Sequence, residues 1–410
     1  MPEAPAWQFK TVRHVPDRTP APARIVLRGR VFTGEPGGLI EDGFVQVEGG
    51  RIHAVGPAAE LGSASDGATV IGGPGKTILP GLFNNHAHLA WDGANDLATQ
   101  ALEDAPDISA YKCAANMLRS LRAGVTTVRD LGMNKTNLVA KQAVAQRIFR
   151  GPKLIVCGEA IVQTGGHTYW CCREASGADE MRRAVREQVR GGADLIKIMG
   201  CHDTLEFTDE ELDAVVDETH RNGLKITAHA TYDACIRRML EHGVDTIEHG
   251  GAMSDETIQL MLDRGTFIIT TFAPLIMQAE QGAAWGLPAW KVEERKRAVA
   301  DATRYEGLVR AARAGVQIVF GTDAGSPVVP HDVIAPELRF MVELGICGDN
   351  EQALVSITSL SAKMNGLAGD RGTLADGLAG DVVVVDGDPL SDLAAIERVE
   401  AVLLDGIQVV

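Results

Sequence analysis

The 410-residue sequence lacks the features that mark membrane, secreted or nucleic-acid-binding proteins. No apolar run reaches the roughly 18 residues of a membrane helix, and no signal-peptide core stands at its start. The seven cysteines follow no spacing typical of a zinc ribbon or a disulfide framework. Positive charge is scarce: 39 Lys and Arg against 55 Asp and Glu give a formal net charge of −16. We therefore expect a cytoplasmic protein with reduced thiols that binds neither nucleic acid nor membranes.

Repeats of fixed period and low-complexity segments are also missing, so the chain divides by its pattern of apolar residues. Residues 1–23 are rich in proline and polar residues, which predicts an extended N-terminal arm. Alternating apolar residues and glycine turns follow in RIVLRGRVFTG and DGFVQVEGGRIHAVG, and similar stretches close the chain in GDVVVVDGDPL and VEAVLLDGIQVV. These patterns predict a small β-sandwich domain built from residues 24–79 and 366–410.

Residues 80–365 have a different character, because short apolar runs alternate with longer helical patterns. One predicted helix begins with the capping box Thr208-x-x-Glu211 and ends before Gly223. Strand–helix repeats indicate βαβ units with parallel strands, and about eight strands are expected when TILPGLFNNHAH is the first. We expect the α/β class and a (β/α)8 TIM barrel over residues 80–365, with a doubly wound open sheet as the alternative.

Ionisable residues end nearly every predicted strand of this middle region, at the end where such barrels hold their active sites. His86 and His88 stand two residues apart after the first strand, so both side chains point to the same face. Further along the chain, such positions hold Lys197, His229, His249 and Asp323. Imidazoles with a carboxylate are ligands that suit zinc and similar ions. Each residue alone has an ordinary structural explanation, but together they predict a metal site.

Lys197 lies in the apolar stretch LIKIM, where burial disfavours the charged ammonium. One explanation is a lysine with a lowered pKa or with its amine extended to solvent. The other is a neutral amine that has taken up CO2, which would make an anionic oxygen ligand able to bridge two metal ions.

These residues belong to motifs by which the chain, over about residues 24–410, resembles the amidohydrolase superfamily. The motifs are ILPGLFNNHAH, GVTTVRD, QTGGH, GADLIKIM, ITAHA, DTIEHG, FGTDAG and AGDVVVVDGDPL. Within that superfamily, QTGGH and the lysine of IKIM resemble the prolidase-like branch, which cleaves dipeptides and N-acyl amino acids. The resemblance implies a β-sandwich with a (β/α)8 barrel, a small-molecule substrate and a homo-oligomer.

The resemblance also implies roles for individual residues. His86 and His88 would bind the more buried of two divalent ions, expected to be zinc, and Asp323 would join that site and transfer protons. His229 and His249 would bind the second ion, and a carboxylated Lys197 would bridge both. His167 of QTGGH and Tyr232 are expected to act in catalysis by polarising the substrate carbonyl, and the expected substrate contacts are His167, Tyr232, Cys201 and His202.

The chain departs from the pattern of the prolidase-like branch at three places. These departures leave the metal ligands in place, but they affect the contacts that support the ligands or bind the substrate. The usual Asp before the H-x-H segment is Asn84, Tyr232 is displaced by one residue, and the segment after Lys197 looks shorter than the glycine-rich loop of the dipeptidases. The leading hypothesis is a binuclear hydrolase that cleaves the amide bond of an N-acyl amino acid or dipeptide by attack of a metal-bridging hydroxide.

Three alternatives stay open beside that hypothesis. The substrate could be a non-peptide amide, carbamate or urea, as the altered segment after Lys197 permits. Deamination of a ring amine is less favoured, because such enzymes usually look mononuclear and lack the lysine. A non-catalytic scaffold is disfavoured because every ligand position is retained.

Overall fold

The structure of the chain, a computed structural model, describes residues 24–62, 66–202 and 204–410. The predicted N-terminal arm, residues 1–23, lies outside the described residues. Among the helices that the structure describes, none has the length and apolar character needed to cross a membrane.

The elements alternate along the chain. The strands are β1 (Ile25–Phe32), β2 (Leu39–Glu48), β3 (Arg51–Pro57), β4 (Thr69–Pro80), β5 (Leu82–Ala87), β6 (Val125–Asp130), β7 (Lys153–Val156), β8 (Ile161–Val162), β9 (Arg173–Glu174), β10 (Leu195–Met199), β11 (Lys225–Ala230), β12 (Thr246–His249), β13 (Phe267–Ile269), β14 (Ile318–Val319), β15 (Val382–Asp386), β16 (Val399–Leu404) and β17 (Ile407–Gln408). The helices are α1 (Leu97–Glu103), α2 (Pro106–Arg122), α3 (Thr136–Ala145), α4 (Ala178–Gly191), α5 (Asp209–Arg221), α6 (Asp233–Glu241), α7 (Asp255–Arg264), α8 (Ala273–Gln281), α9 (Ala289–Ala300), α10 (Glu306–Ala314), α11 (Ala335–Glu343), α12 (Asn350–Ile357) and α13 (Ser359–Met364).

Strands from both ends of the chain share one sheet. Its order is β17-β16-β15-β4-β1-β2-β3, in which β1 and β4 pair in parallel and the other neighbours are antiparallel. Leu27 and Val45 of the N-terminal strands are buried in the same apolar cluster as Val384 and Leu403 of the C-terminal strands. Burial of these side chains joins the two ends of the chain.

The region between these ends is built from parallel strands with helices between them. One sheet has the order β5-β6-β7, and the other has β14-β13-β12-β11-β10-β8-β9. The fold is therefore of the mixed α/β type with parallel sheets, as the sequence predicts. Contacts also join the sheets: Asp194 N donates to Val156 O (2.7 Å), and a parallel bridge links Ala87 to Ala324.

Two of the strands that carry the site, β5 and β10, are covered on both faces. Every residue of β5 and β10 is buried. The predicted capping box is confirmed at α5, because Thr208 Oγ1 accepts from Glu211 N (3.3 Å) and Glu211 Oε2 accepts from Thr208 N (2.8 Å). This cap fixes the start of the helix that follows the segment after Lys197.

Candidate metal centre

Three of the predicted ligands meet beyond the end of β5. One possible ligand atom from each of His86, His88 and Asp323 lies within 4.8 Å of the other two. Asp323 Oδ1 is 2.9 Å from His88 Nε2 and 3.5 Å from His86 Nε2. Two imidazoles and one carboxylate that converge in this way have the chemistry to hold a divalent ion.

The cluster of imidazole rings extends across neighbouring strands. The ring centroids of His86 and His249 are 4.9 Å apart, and those of His249 and His229 are 4.5 Å apart. His229 lies on β11 and His249 at the end of β12, which pairs with it in parallel. The structure thus brings all four predicted histidine ligands together in a continuous group.

Hydrogen bonds orient the first two histidines. The Nδ1–H of His86 donates to Glu248 Oε2 (2.8 Å), and Nδ1 of His88 lies 3.3 Å from the carbonyl oxygen of Gly132. A carbonyl and a carboxylate only accept, so Nδ1 carries the hydrogen in both rings, and in the neutral ring Nε2, which faces Asp323, is then the nitrogen with a lone pair for an ion. This arrangement, in which the other ring nitrogen donates to the protein, is typical of histidines that bind metals.

The backbone is strained at two of the predicted ligands. His249 has φ +71° and Asp323 has φ +54°, in the left-handed region that residues other than glycine seldom adopt. Nδ1 of His249 also lies 2.5 Å from Thr271 Oγ1. Strain of about 1–3 kcal/mol per residue persists where neighbouring contacts hold it, and such positions concentrate at functional sites.

A buried charge network lies behind His86. Glu248 Oε2 accepts from His86, while Oε1 accepts from Arg129 NH1 (2.7 Å) and from the Thr227 hydroxyl. Burial alone would raise the pKa of Glu248, but Arg129 and His86 hold it well below its usual range. Glu248 is therefore an anion that fixes the orientation of His86.

Lys197 lies in the middle of β10 and is 1% exposed. Burial lowers its pKa, against the charges of Glu248 and Asp323, which raise it. Burial also lowers the pKa values of His86, His229 and His249. Desolvation thus favours neutral forms of these groups, and the neutral imidazole is the form that binds metals.

A second group of side chains adjoins the histidine cluster. The ring of His167 lies 4.7 Å from that of His229 and stacks on that of His202 at 4.6 Å. The backbone N–H of His167 donates to Glu206 Oε1 (2.6 Å), so the segments after β8 and β10 are joined here. His167 and His202 are therefore placed where they can contact a molecule bound at the cluster.

The other two predicted substrate contacts lie beside each other. Tyr232 is half-buried, and burial together with the nearby thiols of Cys201 and Cys235 raises the pKa of its phenol to about 12. Cys201 is fully buried. The structure brings Tyr232 and Cys201 into contact, and their contact with substrate stays a prediction.

Asn84, the residue that departs from the usual pattern, supports the site from below. Its Oδ1 accepts from His86 N (3.2 Å), and its Nδ2 donates to Thr322 Oγ1 (2.7 Å), next to Asp323. An amide can donate as well as accept, so it joins the two chain segments that supply the first three ligands.

Glu248 and Arg129 support the site but were not predicted from the sequence. Both stand at buried positions of parallel strands, in TIEH and VTTVRD. A charged residue is seldom fully buried unless it is paired, so their position was a usable signal. Their partnership could not be seen, because 119 positions separate them.

Comparisons with known proteins agree with this geometry. The sequence profile of the amidohydrolase family matches residues 77–409. Ochratoxinase of Aspergillus niger is 28% identical over 364 residues, which cover 79% of this chain and 73% of that protein. The crystal structure of a Xaa-Pro dipeptidase with bound methionine is similar, with a TM-score of 0.82, 25% identity and coverage of 94% of this chain and 99% of that one. A prolidase complexed with N-methylphosphonate-L-proline has a TM-score of 0.81, 30% identity and the same coverage.

Proposed function

This chain belongs to the amidohydrolase family, and from that membership we propose that it is a binuclear metal-dependent hydrolase that cleaves an amide C–N bond. Its relatives make it a hydrolytic enzyme of the prolidase-like branch. The proposal adds the two metal ions, the roles of single residues and the substrate.

The observation that carries the proposal is the convergence of His86, His88 and Asp323, with His249 and His229 next to them. The donor set fits a metal because Nε2 of His86 and of His88 is left with its lone pair. Imidazole and carboxylate ligands together favour zinc among common ions, and we propose zinc here.

His86, His88 and Asp323 would hold one ion, and His229 and His249 would hold the second. Bound there, two divalent ions would polarise the scissile carbonyl and lower the pKa of a water molecule. Lys197 would bridge the two as a carbamate, formed when its neutral amine attacks CO2 and releases a proton. Its complete burial next to β11 supports this role, since an unmodified ammonium would be costly there.

The protein side chains would orient the substrate and move the proton. Asp323 would accept a proton from the attacking water at its carboxylate and pass it to the leaving nitrogen. His167, whose ring adjoins that of His229, would hold the substrate carbonyl and oppose the charge that develops on its oxygen. Tyr232 would assist His167 in holding that carbonyl, and Cys201 and His202 would contact the substrate.

We also propose how the chain is divided into domains. The links from Asp194 to Val156 and from Ala87 to Ala324 join the two parallel sheets, and we propose that they close into the (β/α)8 barrel. Residues 80–365 would form that domain, and residues 24–79 and 366–410 the β-sandwich domain. All seven cysteines are free thiols, which supports a cytoplasmic location. A homo-oligomer stays a prediction.

Dipeptides and N-acyl amino acids are the first substrate class to examine, since proteins of similar structure include a dipeptidase and a prolidase. Uncharged amides, carbamates and ureas are the second class. Arg173 favours the second class, because this cation on β9 is already bonded to Glu187 (2.8 Å) and Glu180 (3.1 Å).

Metal analysis combined with a substrate screen tests the proposal. Protein purified with zinc should contain about two ions per chain and should hydrolyse at least one of a panel of N-acyl amino acids, dipeptides, carbamates and aryl amides. Lys197→Ala should lose metal and turnover together, with partial recovery in a short-chain carboxylic acid. Wild-type turnover in that variant would exclude the bridging role, and metal-replete protein that cleaves no C–N bond would refute the function.

A further inference from the structure

Two tryptophans form an aromatic wall beside the histidine cluster. Trp91 follows His88 by three residues, and Trp170 follows His167 by three residues. The rings of Trp91 and Trp170 are stacked, with centroids 5.8 Å apart and planes 23° apart. The ring of Trp91 also lies 5.5 Å from that of His88. The wall thus begins at a predicted metal ligand and continues to the segment that holds His167.

Trp91 is held rigidly in this wall. Its carbonyl oxygen accepts from Asn116 Nδ2 (2.7 Å) and from His331 Nε2 (2.9 Å), and its N–H donates to His88 O (3.0 Å). Its side chain is 3% exposed. Trp91 is therefore a fixed backing whose ring is covered on most sides.

Trp170 differs from Trp91 because part of its ring is uncovered. It lies in a single helical turn, Tyr169–Cys171, and is half-buried. One face of the Trp170 ring is stacked on Trp91. Trp170 follows His167 by three residues, and the ring of His167 adjoins that of His229. An amphipathic, partly covered indole next to convergent polar groups is a typical ligand contact.

The segments that follow the parallel strands contain few cations. These segments are residues 88–96, 131–135, 157–177, 200–208, 231–232, 250–254, 270–272 and 320–334. Together they contain two cationic residues, Lys135 and Arg173, against eight Asp and Glu.

Both of these cations are already paired. Lys135 bonds to Glu159 (3.1 Å), and Arg173 bonds to Glu187 (2.8 Å) and Glu180. The two cations behind the histidines, Lys197 and Arg129, are buried. A free substrate carboxylate would therefore find the cations of these segments already engaged.

These observations narrow the substrate class, on the basis of the proposed hydrolase function. We infer that the substrate is an uncharged amide whose aryl group stacks on Trp170, and that it is not an amino acid derivative with a free carboxylate. The aryl group lies on either the acyl or the amine side of the scissile bond, and the experiment separates these two arrangements.

The first measurement compares matched substrates with the zinc-loaded wild-type protein. N-benzoylglycine and N-isobutylbenzamide differ in a carboxylate that is replaced by a group of the same shape. N-isobutylcyclohexanecarboxamide has a saturated ring in place of the aryl ring of N-isobutylbenzamide. Acetanilide and N-cyclohexylacetamide differ in the same way, but their ring is on the amine side of the scissile bond. If the aryl group lies on the acyl side, we expect kcat/KM to be at least about tenfold higher for N-isobutylbenzamide than for N-benzoylglycine or N-isobutylcyclohexanecarboxamide. If it lies on the amine side, we expect the same margin for acetanilide over N-cyclohexylacetamide.

The second measurement uses variants. Trp170→Leu should lower kcat/KM for aryl amides about three- to tenfold, through KM, because an aromatic contact contributes about 0.5–1.5 kcal/mol. It should change cyclohexyl amides less than about twofold and leave zinc content unchanged. Trp170→Phe should restore most of the loss. Trp290→Leu is the matched control, since Trp290 lies on α9 and is 67% exposed.

Different outcomes test the inferred substrate class and the proposed hydrolase function. A preference for N-benzoylglycine, or an equal loss on aryl and cyclohexyl amides in Trp170→Leu, would overturn the inference while the hydrolase stands. Failure of metal-replete protein on every amide would instead refute the proposed function. If Trp170→Leu does not fold, the wild-type substrate pairs still decide the inference.

Discussion

Glu248→Gln removes one negative charge from the buried network behind His86 and keeps the size of the side chain. In the wild-type protein Glu248 contacts both His86 Nδ1 (2.8 Å) and Arg129 NH1 (2.7 Å), and its side chain is fully buried. The substitution leaves Arg129 as a buried cation without its carboxylate. It also leaves the orientation of His86 to a weaker, uncharged acceptor.

The expected loss of stability follows from the burial of Arg129. Removal of one partner of a buried ion pair costs about 3–5 kcal/mol, because the other charge stays desolvated. The bonds from Arg129 to Asn85 O (3.1 Å) and Thr246 Oγ1 (3.2 Å) persist but carry no opposing charge. We therefore expect the free energy of unfolding, measured by urea denaturation, to fall by an amount in that range.

The expected loss of metal affinity has a separate origin. A carboxylate that accepts from a ligating histidine raises its basicity and fixes its ring, and its loss typically costs 10–100-fold in affinity. Competition with a chelator should show zinc bound 10–100-fold more weakly in folded Glu248→Gln. The double variant Arg129→Gln with Glu248→Gln removes the unpaired cation, so it should regain part of the stability but none of the affinity.

A matched control separates the buried network from the general effect of a lost Glu–Arg pair. Glu48→Gln breaks a two-bond pair to Arg24 (3.1 Å and 3.3 Å), in which both side chains are exposed at the surface. Exposed pairs contribute little, so stability and zinc affinity should both stay near wild-type values. Wild-type zinc affinity in Glu248→Gln would show that this carboxylate does not position His86, and the reasoning would be wrong.

Three further predictions concern single residues. Asp323→Asn should leave the fold and melting temperature near wild type but abolish turnover, and a retained rate would remove Asp323 as the proton carrier. His167→Ala should raise KM with zinc content unchanged, whereas loss of zinc on elemental analysis would make His167 a ligand. Burial raises the pKa of Glu337 to about 8, so the stability that it contributes is full below about pH 4 and is lost as the pH rises to about 8 and beyond. In urea titrations, the free energy of unfolding of Glu337→Gln should therefore decrease less between about pH 5 and 8 than that of the wild-type protein. An equal decrease in both proteins would contradict the raised pKa.

Local features of the fold were predictable because their causes lie within a few residues. The capping box of α5 joins positions three apart, and its two hydrogen bonds form as expected. The run LIKIM is apolar because β10 is covered on both faces. Parallel strands and intervening helices follow from the same short-range patterns, as does the convergence of His86 and His88, which stand two residues apart on one strand.

Features that depend on distant contacts were not predictable in the same way. Glu248 and His86 are 162 positions apart, and the stack of Trp91 on Trp170 joins segments that follow different strands. A sequence shows that a buried glutamate needs a partner, but the pairing of strands decides which one it meets. The role of Asn84 was left open for this reason, since its contact to Thr322 spans 238 positions.

The metal ligands predicted from the sequence are thus held in place by residues that were not predicted from it. His249 and Asp323 adopt left-handed backbone conformations, which a chain keeps only if surrounding contacts outweigh the strain. Thr271 at His249 and the two histidines at Asp323 supply such contacts. A set of side chains fixed by hydrogen bonds and by strained backbone loses little freedom when an ion binds, so the affinity of the site depends on its supports as much as on its ligands. Substitutions behind the ligands, above all at Glu248, therefore test the metal centre more specifically than removal of the ligands themselves.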